Sequence, residues 1–397
     1  MLNLEKHPYF EEFIDPATGV KSYILKEKVA KLQLNFYFTE MGLTYDNKYM
    51  WFKCIDWPAQ NRHLGVMSMD PDNPFIRKFT GASMNSSEPN IIPGTHDALV
   101  AIDNSVYRFD VGGNCEKVLE VGSDIIRGRR IDRISTHLSI NSDNELMLLD
   151  MRIGEKTYIA TGNLNTGEVK MIHKFIKNYN HSQFCPTDPK LFLIDQDWEI
   201  DPVTGERFDI DQRMWLMDTE GTRLENVLPG NWFRHNNSII CHDFWSKDGY
   251  LCWPDLLDSV CEYNIETKEV KGVWNHSICH AHTNERELWV GDDSPYAWDK
   301  RPCRVVFFDR ESGKEIDIFS ALPKPNYKST SVYHLDPHPA FTPDNKYIIS
   351  TVTLKNGEVD VAITPVEPLL ELCREKGLKV NDECIALTTD TKGGFKI

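Results

Sequence analysis

One ten-residue phrase constrains this chain more than any other feature: residues 241–250, CHDFWSKDGY. It carries a histidine, an apolar pair, a small hydroxyl residue and an Asp-Gly turn. Asp-Gly between apolar runs is the strongest short hairpin signal, so the phrase predicts strand, tight turn, strand, with His242 at the start of the first strand. The phrase recurs. His338 stands six residues before Asp344-Asn345, His137 six before Asp143-Asn144, and Glu40 six before Asp46-Asn47. His181 stands seven before Asp188-Pro189, His96 seven before Asp103-Asn104, and His280 six before a drifted turn at Arg286-Glu287. The seven copies lie 38 to 61 residues apart, a period that means a solenoid, propeller or array.

Each phrase leads into an apolar run: KYMWFK, SVYRFD, ELMLLDM, KLFLID, YLCWPD, ELWVGD and KYIISTV. These are rich in aromatic and β-branched residues, as strands are. A second hairpin then follows in several copies, with turns at Asn165-Thr166-Gly167, Glu220-Gly221, Glu266-Thr267-Lys268 and Ser312-Gly313. Four antiparallel strands per repeat make one propeller blade. The last copy has no second hairpin and runs into a helix-like tail, LLELCREKG. An orphan hairpin at the N-terminus turns at residues 15–19, DPATG, and can supply the missing outer strands. The expectation is an all-β, seven-bladed β-propeller, a single domain over residues 1–397, its last blade closed by the N-terminal hairpin so that no sheet edge is left open between the chain ends.

A net charge of -16 makes nucleic acid and anionic membranes poor partners. An anionic substrate then needs a local cationic site. The ten cysteines are scattered with no metal-type spacing, and Cys241, Cys252, Cys261 and Cys279 sit in strand-like runs, where buried free thiols are expected. The N-terminal stretch MLNLEKHPYFEEF is too charged for a signal peptide, and no 18-residue apolar run exists. The expectation is a soluble protein of a reducing cytoplasm. No GxSxG elbow, HExxH, P-loop or dinucleotide fingerprint is present, so chemistry has to come from His, Arg and a metal.

In a propeller the first residue of each phrase lies at one mouth of the central channel. The predicted ring is Glu40, His96, His137, His181, His242, His280 and His338. Imidazoles gathered at a concave mouth suit a metal or proton-transfer site. Strand alternation puts His334, Asp336 and His338 on one side of their segment, and such N/O donors suit Mn, Zn, Fe or Ni better than Ca. Asp336 can equally cap the turn before Pro337, and His282 reads as a rim residue. Arg213 starts a strand upstream of His242, with Asp209 and Asp211 as the ordinary ion-pair partners. The loop over residues 231–236, NWFRHN, brings stacking and cationic groups, Arg234 and His235 among them, toward the His242 phrase.

The segments HSQFCPTDPKLFLI (181–194), DQRMWLMDTEGT (211–222), HDFWSKDG (242–249) and HPAFTPDN (338–345), in that order, resemble the oligogalacturonate lyase family. The resemblance implies a seven-bladed propeller with a bound divalent metal, usually Mn2+. It also implies β-elimination of short pectin fragments to 4,5-unsaturated uronates. Carried across, His242 matches the general base, Arg213 the catalytic arginine, and His280 and His338 metal ligands. The family draws a Gln and another His from just before the last ligand, where this chain has Tyr333, His334 and Asp336. The expected metal set is therefore His280, His334, Asp336 and His338, and the expected oligouronide contacts are His181, Arg234, His235 and Tyr333. The rival readings are a lyase of another uronide, a non-catalytic propeller that binds a sugar or a partner, and a propeller hydrolase or lactonase.

Overall fold

The computed structural model describes residues 2–380 except 60, 82, 85–86, 202, 209, 229–239, 257, 295–300 and 325–334. Strands pair with their sequence neighbours, as short turns dictate. Residues 90–120, 131–175, 179–226, 244–274 and 280–322 each build a four-stranded antiparallel meander. The turns read from the sequence connect the strands Lys156–Asn163 and Val169–Phe175, Met214–Asp218 and Leu224–Asn226, Val260–Tyr263 and Val270–Trp274, and Cys303–Asp309 and Lys314–Leu322. The 179–226 meander also carries a two-stranded excursion, Glu199–Ile200 with Arg207–Phe208, which the sequence reading did not anticipate.

The N-terminal strands and those of residues 340–365 share one larger sheet. The N-terminal strands Phe10–Ile14 and Lys21–Leu25 form the hairpin read at Asp15–Gly19. Lys21–Leu25 pairs antiparallel with Val359–Pro365, with Tyr23 opposite Ile363 and Ile24 opposite Ala362. The strands Ala340–Phe341 and Tyr347–Thr353 complete that group. A single parallel contact, Leu32 with Val359, joins it to the meander over residues 32–78.

Apolar cores lie between successive sheets. Leu99 and Leu119 pack with Met147 and Leu149. Leu193 and Leu216 pack with Trp253 and Tyr263. Cys252 and Trp274 pack with Trp289 and Phe308. Tyr23 and Ile363 share a core with Met50 and Met67, so the N-terminal hairpin is packed on both of its neighbours. The tail helix, Val366–Lys376, buries Leu369 and Cys373 in the core of the 280–322 sheet. Its Arg374 Nε lies 2.8 Å from Asp309. Residues Leu378–Lys379 then add a strand to Lys314–Leu322. The helix thus serves this chain's own sheet rather than presenting Leu369 and Cys373 to a second copy. The nine described cysteines are all free thiols. Among the described residues, no helix is long and apolar enough to cross a membrane.

Polar contacts reinforce the larger sheet. Asp360 is fully buried, paired with Lys28 and accepting from Gln33 Nε2 at 2.8 Å. Burial pushes its carboxyl up to about 6, against the pull of Lys28. The folded value lies above the unfolded reference of about 3.9. The resulting contribution to stability is complete below about pH 4 and is lost as pH rises through about 6. Asp360→Asn removes that loss. Urea unfolding at pH 4.5 and pH 7 should show the variant gaining on the parent at the higher pH; equal differences at the two values would refute it.

Candidate functional site

The site begins with breaks in the innermost strands of three sheets. At His181, His242 and His338 the backbone turns into the left-handed region, with φ of 52°, 52° and 44°. Side chains other than Gly, Asn and Asp rarely adopt that conformation, and it persists where the surroundings enforce it, often at functional sites. In the strand Tyr179–Phe184 the pairing skips from Asn180 to Gln183 across the break. The break turns the ring residue out of the ladder and into the channel.

A repeated buried group enforces several of these breaks. The sixth residue of the apolar run is an acid in five copies and a buried one in four: Asp150, Asp195, Asp255 and Asp292. Asp150 Oδ2 accepts from the Ser182 N–H at 3.0 Å, and Asp292 Oδ2 from the His338 N–H at 2.9 Å, each one sheet further on. Thr351 holds the same place in the last copy, and its Oγ1 accepts from the Asn35 N–H at 3.0 Å. Each satisfies a backbone donor that the broken ladder has released. The sequence reading passed over these acids, although their fixed place in the runs marks them.

The breaks gather five of the six expected histidines. His137 Nε2 lies 2.9 Å from His181 Nδ1. The His242 and His280 ring centres are 4.1 Å apart, and those of His280 and His338 are 4.4 Å apart. His96 is the exception. It is exposed at a turn, 2.9 Å from Asp46 and edge-on to Tyr49. Asp103-Asn104 joins the second and third strands of its sheet, so that copy was read one hairpin late. Its innermost strand is Asn90–Ile91, and the turn Pro93-Gly94 puts Glu88 in the ring position. Spacing carried the signal: with Glu88 the first two intervals are 48 and 49 residues, rather than 56 and 41. His282 is also corrected. It is buried, stacked on Phe244 at 5.7 Å, and burial pushes it down to about 3.

Tyr37, absent from the sequence reading, fills the middle of the ring. Its centre lies 4.8 Å from that of His338 and 5.1 Å from that of His137. Burial pushes its phenol well above the ordinary value, so it stays a donor. Burial works against charge on His137, but Glu40 at 3.2 Å outweighs it and raises the group. His181 is driven well below its ordinary value by burial and by His137. Neutral His181 therefore accepts at Nδ1 and presents its N–H at Nε2.

His242 Nδ1 donates to the Cys279 carbonyl at 2.7 Å, which leaves the lone pair of the neutral ring on Nε2. His280 Nδ1 faces the Asp292 carboxylate at 3.0 and 3.1 Å, so Nε2 is the nitrogen it could offer to a metal. Donor atoms of His280, Asp336 and His338 lie within 4.8 Å of one another, all three residues buried. Ser294 Oγ donates to Asp336. This N,N,O group with a carboxylate behind its histidine fits a divalent transition metal. A second cluster, His242, Cys279 and His280, shares His280 with the first, and burial pushes its Cys279 thiol well above the ordinary value.

Arg213 is buried, with Nε 2.8 Å from Asp243 and Nη2 2.8 Å from Asp195. These replace the partners expected from sequence: Asp211 pairs with Lys177, and Asp209 lies outside the described residues. Burial opposes charge on Arg213, yet the two aspartates hold it well above its ordinary value. Burial also pushes Asp195 up, whereas Arg213 keeps Asp243 low. Arg213, His181 and His242 line one cavity of about 560 Å3 with Tyr37, Lys53, Arg62, Glu88, His137 and Trp198. Trp198, on the unanticipated excursion, has the Arg207 guanidinium 5.1 Å from its ring centre. Arg234, His235, Tyr333 and His334 lie outside the described residues.

No protein-family model matches the chain. An oligogalacturonide lyase of Pectobacterium atrosepticum is 24% identical over 161 residues, which is 36% of this chain and 40% of that one. An oligogalacturonate lyase of Dickeya dadantii is 25% identical over 207 residues, 47% and 50% of the two chains. The chain spans half or less of the length of these curated relatives. A solved oligogalacturonate lyase in complex with manganese superposes with a TM-score of 0.74 at 17% identity, over 91% of this chain and 97% of that one. The Vibrio parahaemolyticus oligogalacturonate lyase gives 0.73 at 17% identity, over 90% and 96%. The chain resembles the oligogalacturonate lyases in sequence and shares their all-β fold.

Removing the cation between Asp195 and Asp243 strands two buried carboxylates. Arg213→Met should lower the unfolding free energy by roughly 3–5 kcal/mol, measured by urea denaturation. A loss under about 1 kcal/mol would mean that water reaches the pair, as it does for exposed ion pairs.

Proposed function

We propose that this protein is a metal-dependent lyase that cleaves short oligogalacturonides by β-elimination. The observation that carries the reading is a histidine set in one tautomer, His242, beside the buried donor group of His280, Asp336 and His338. The proposed frame is a single seven-bladed propeller in which the N-terminal hairpin completes the last blade. Its free cysteines suit the reducing cytoplasm.

Elimination removes the C5 proton of a uronate, next to its carboxylate. His242 Nε2 takes that proton. The electrons of the C5–H bond form the C4=C5 double bond, and the C4–O bond breaks with its pair leaving on the glycosidic oxygen. The product is a 4,5-unsaturated uronate, and the departing oxygen takes up a proton. Arg213 adds fixed positive charge near the growing negative charge, and its Nη1 is the donor nitrogen not engaged by Asp195 or Asp243. Tyr37 and His181 present protonated donors to the same cavity. A divalent cation, Mn2+ foremost, held by His280, Asp336 and His338, would supply Lewis-acid stabilisation of the carboxylate as charge develops. His334, Arg234, His235 and Tyr333 remain proposed ligand and substrate contacts on the strength of the resemblance alone.

Incubation with digalacturonate or trigalacturonate and Mn2+ should raise the ultraviolet absorbance of a conjugated unsaturated uronate. His242→Ala should lower kcat by about 10²–10⁴-fold. A flat trace for the parent with every uronide tried, or hydrolysed products with no new double bond, would end the reading. Asp292→Asn should weaken Mn2+ binding by about 10–100-fold in a direct titration; unchanged affinity would place the ion elsewhere.

A further inference from the structure

Two members of the ring are buried against each other one step behind the cavity. Glu40 and His137 open the phrases that lead into two different sheets, and both are almost fully buried. His137 Nδ1 lies 3.2 Å from Glu40 Oε2, and Thr39 Oγ1 donates to the same carboxylate oxygen at 2.5 Å. On its other side His137 Nε2 lies 2.9 Å from His181 Nδ1. His181 alone of the three keeps exposed surface, and it lines the cavity with Arg213 and His242. Its left-handed backbone and the Thr136 Oγ1 that accepts its N–H at 3.2 Å fix its place. Carboxylate, imidazole and imidazole thus form one chain of polar contacts that ends at His181 Nε2.

Elimination leaves an electron pair on the glycosidic oxygen, and a donor has to supply its proton. Several groups that line the cavity hold their protons too firmly. Burial raises the Tyr37 phenol and the Cys241 thiol. Arg62 and Arg213 are guanidinium groups, which do not lose a proton in proteins. Lys53 Nζ lies 2.7 Å from Glu88. His242 is engaged as the base, which leaves His181. A neutral imidazole that gives up its Nε2 proton alone becomes an anion, and a desolvated site disfavours that. A cation behind it removes the obstacle. Burial opposes charge on His137, yet Glu40, Asp150 and Glu88 face it and raise it. Burial, together with His137, Arg213, His242 and Arg133, keeps His181 neutral.

We propose that His181 is the proton donor to the departing glycosidic oxygen and that Glu40 and His137 form the relay behind it. The inference rests on the lyase reading above and deepens it. As the C4–O bond breaks, the His181 Nε2–H bond breaks and the new O–H bond forms. The His137 Nε2–H bond breaks as the His181 Nδ1–H bond forms. His137 ends neutral, its Nδ1 proton still facing Glu40, and His181 ends neutral in its other tautomer. After the product leaves, water carries the proton that His242 took from C5 to His181 Nε2, and the His181 Nδ1 proton returns to His137. The cycle closes with no acid or base consumed. His181 meets the substrate, whereas Glu40 and His137 act through it.

The test follows kcat on digalacturonate against pH for the Mn2+-loaded parent, Glu40→Gln, His137→Gln and His181→Asn. The ring-nitrogen NMR resonances of the histidines are titrated in the parent and Glu40→Gln before any ion is added, with His137→Gln and His181→Asn assigning the signals. Asn accepts the left-handed backbone at position 181, so His181→Asn should fold and lose about 10²–10⁴-fold in kcat. His137→Gln leaves His181 without its cation and should lose kcat in the same direction. The parent kcat should fall as pH rises through the His137 value, which lies above the ordinary 6.5. Glu40→Gln removes the leading attraction, so that limb and the His137 ring titration should both move down by about one pH unit or more. A merely structural Glu40 would move neither. A Glu40→Gln protein that keeps the parent's unfolding transition and leaves either unmoved overturns the relay. So does a His181→Asn enzyme within a few-fold of the parent kcat. A parent inert to every uronide, whose rings titrate as expected and shift in Glu40→Gln, upholds the charged relay and ends the lyase reading alone.

Discussion

The interaction on which the rest depends is a side-chain acceptor, buried at one register position, that takes the backbone N–H of the next sheet's broken strand. Asp150 holds Ser182 and Asp292 holds His338 in this way, and Thr351 does the same for Asn35. A strand that bends out of its ladder releases a donor, and a buried donor without a partner costs about 1–3 kcal/mol. The acceptor removes that cost and sets where the bend falls. It therefore couples packing between sheets to the direction in which the ring residues point.

That coupling sets the chemistry as well. Asp292 anchors the His338 backbone and also faces His280 Nδ1, so one carboxylate positions two of the three grouped donors. The Cys279 carbonyl orients His242 in the same neighbourhood. Asp195, at the same register in its sheet, instead meets Arg213. In the first sheet the position turns basic, with Lys53. One structural slot has thus been filled by acid, hydroxyl or base, according to what faces it.

Much of this was legible before any coordinates. The phrase spacing, the run composition and the turn residues predict repeated antiparallel hairpins, and the orphan N-terminal hairpin predicts a partner strand near the C-terminus. His137, His181, His242, His280 and His338 were read as neighbours because they begin equivalent phrases. His96 was misread because Asp103-Asn104 satisfies the hairpin pattern as well as Pro93-Gly94 does, and both are real turns of one sheet. His282 was misread because alternation along a strand cannot tell a channel wall from an apolar interior. Tyr37 and Trp198 belong to no repeated phrase, so periodicity could not mark them.

The sequence by itself determined the repeat and the hairpins within most units, because those follow from local period and turn chemistry, while the roles of base and metal ligand came with the family resemblance. The tertiary structure alone decided which charges meet. Arg213 finds Asp195 and Asp243, 18 and 30 residues away in the chain, rather than Asp211 two residues away. Glu88 takes the ring place assigned to His96, and Lys53 and Arg62 face the cavity together. Sequence spacing governs which residues share a strand face. Electrostatic partnership depends on distance in space, and that is set only when the sheets pack around a common centre.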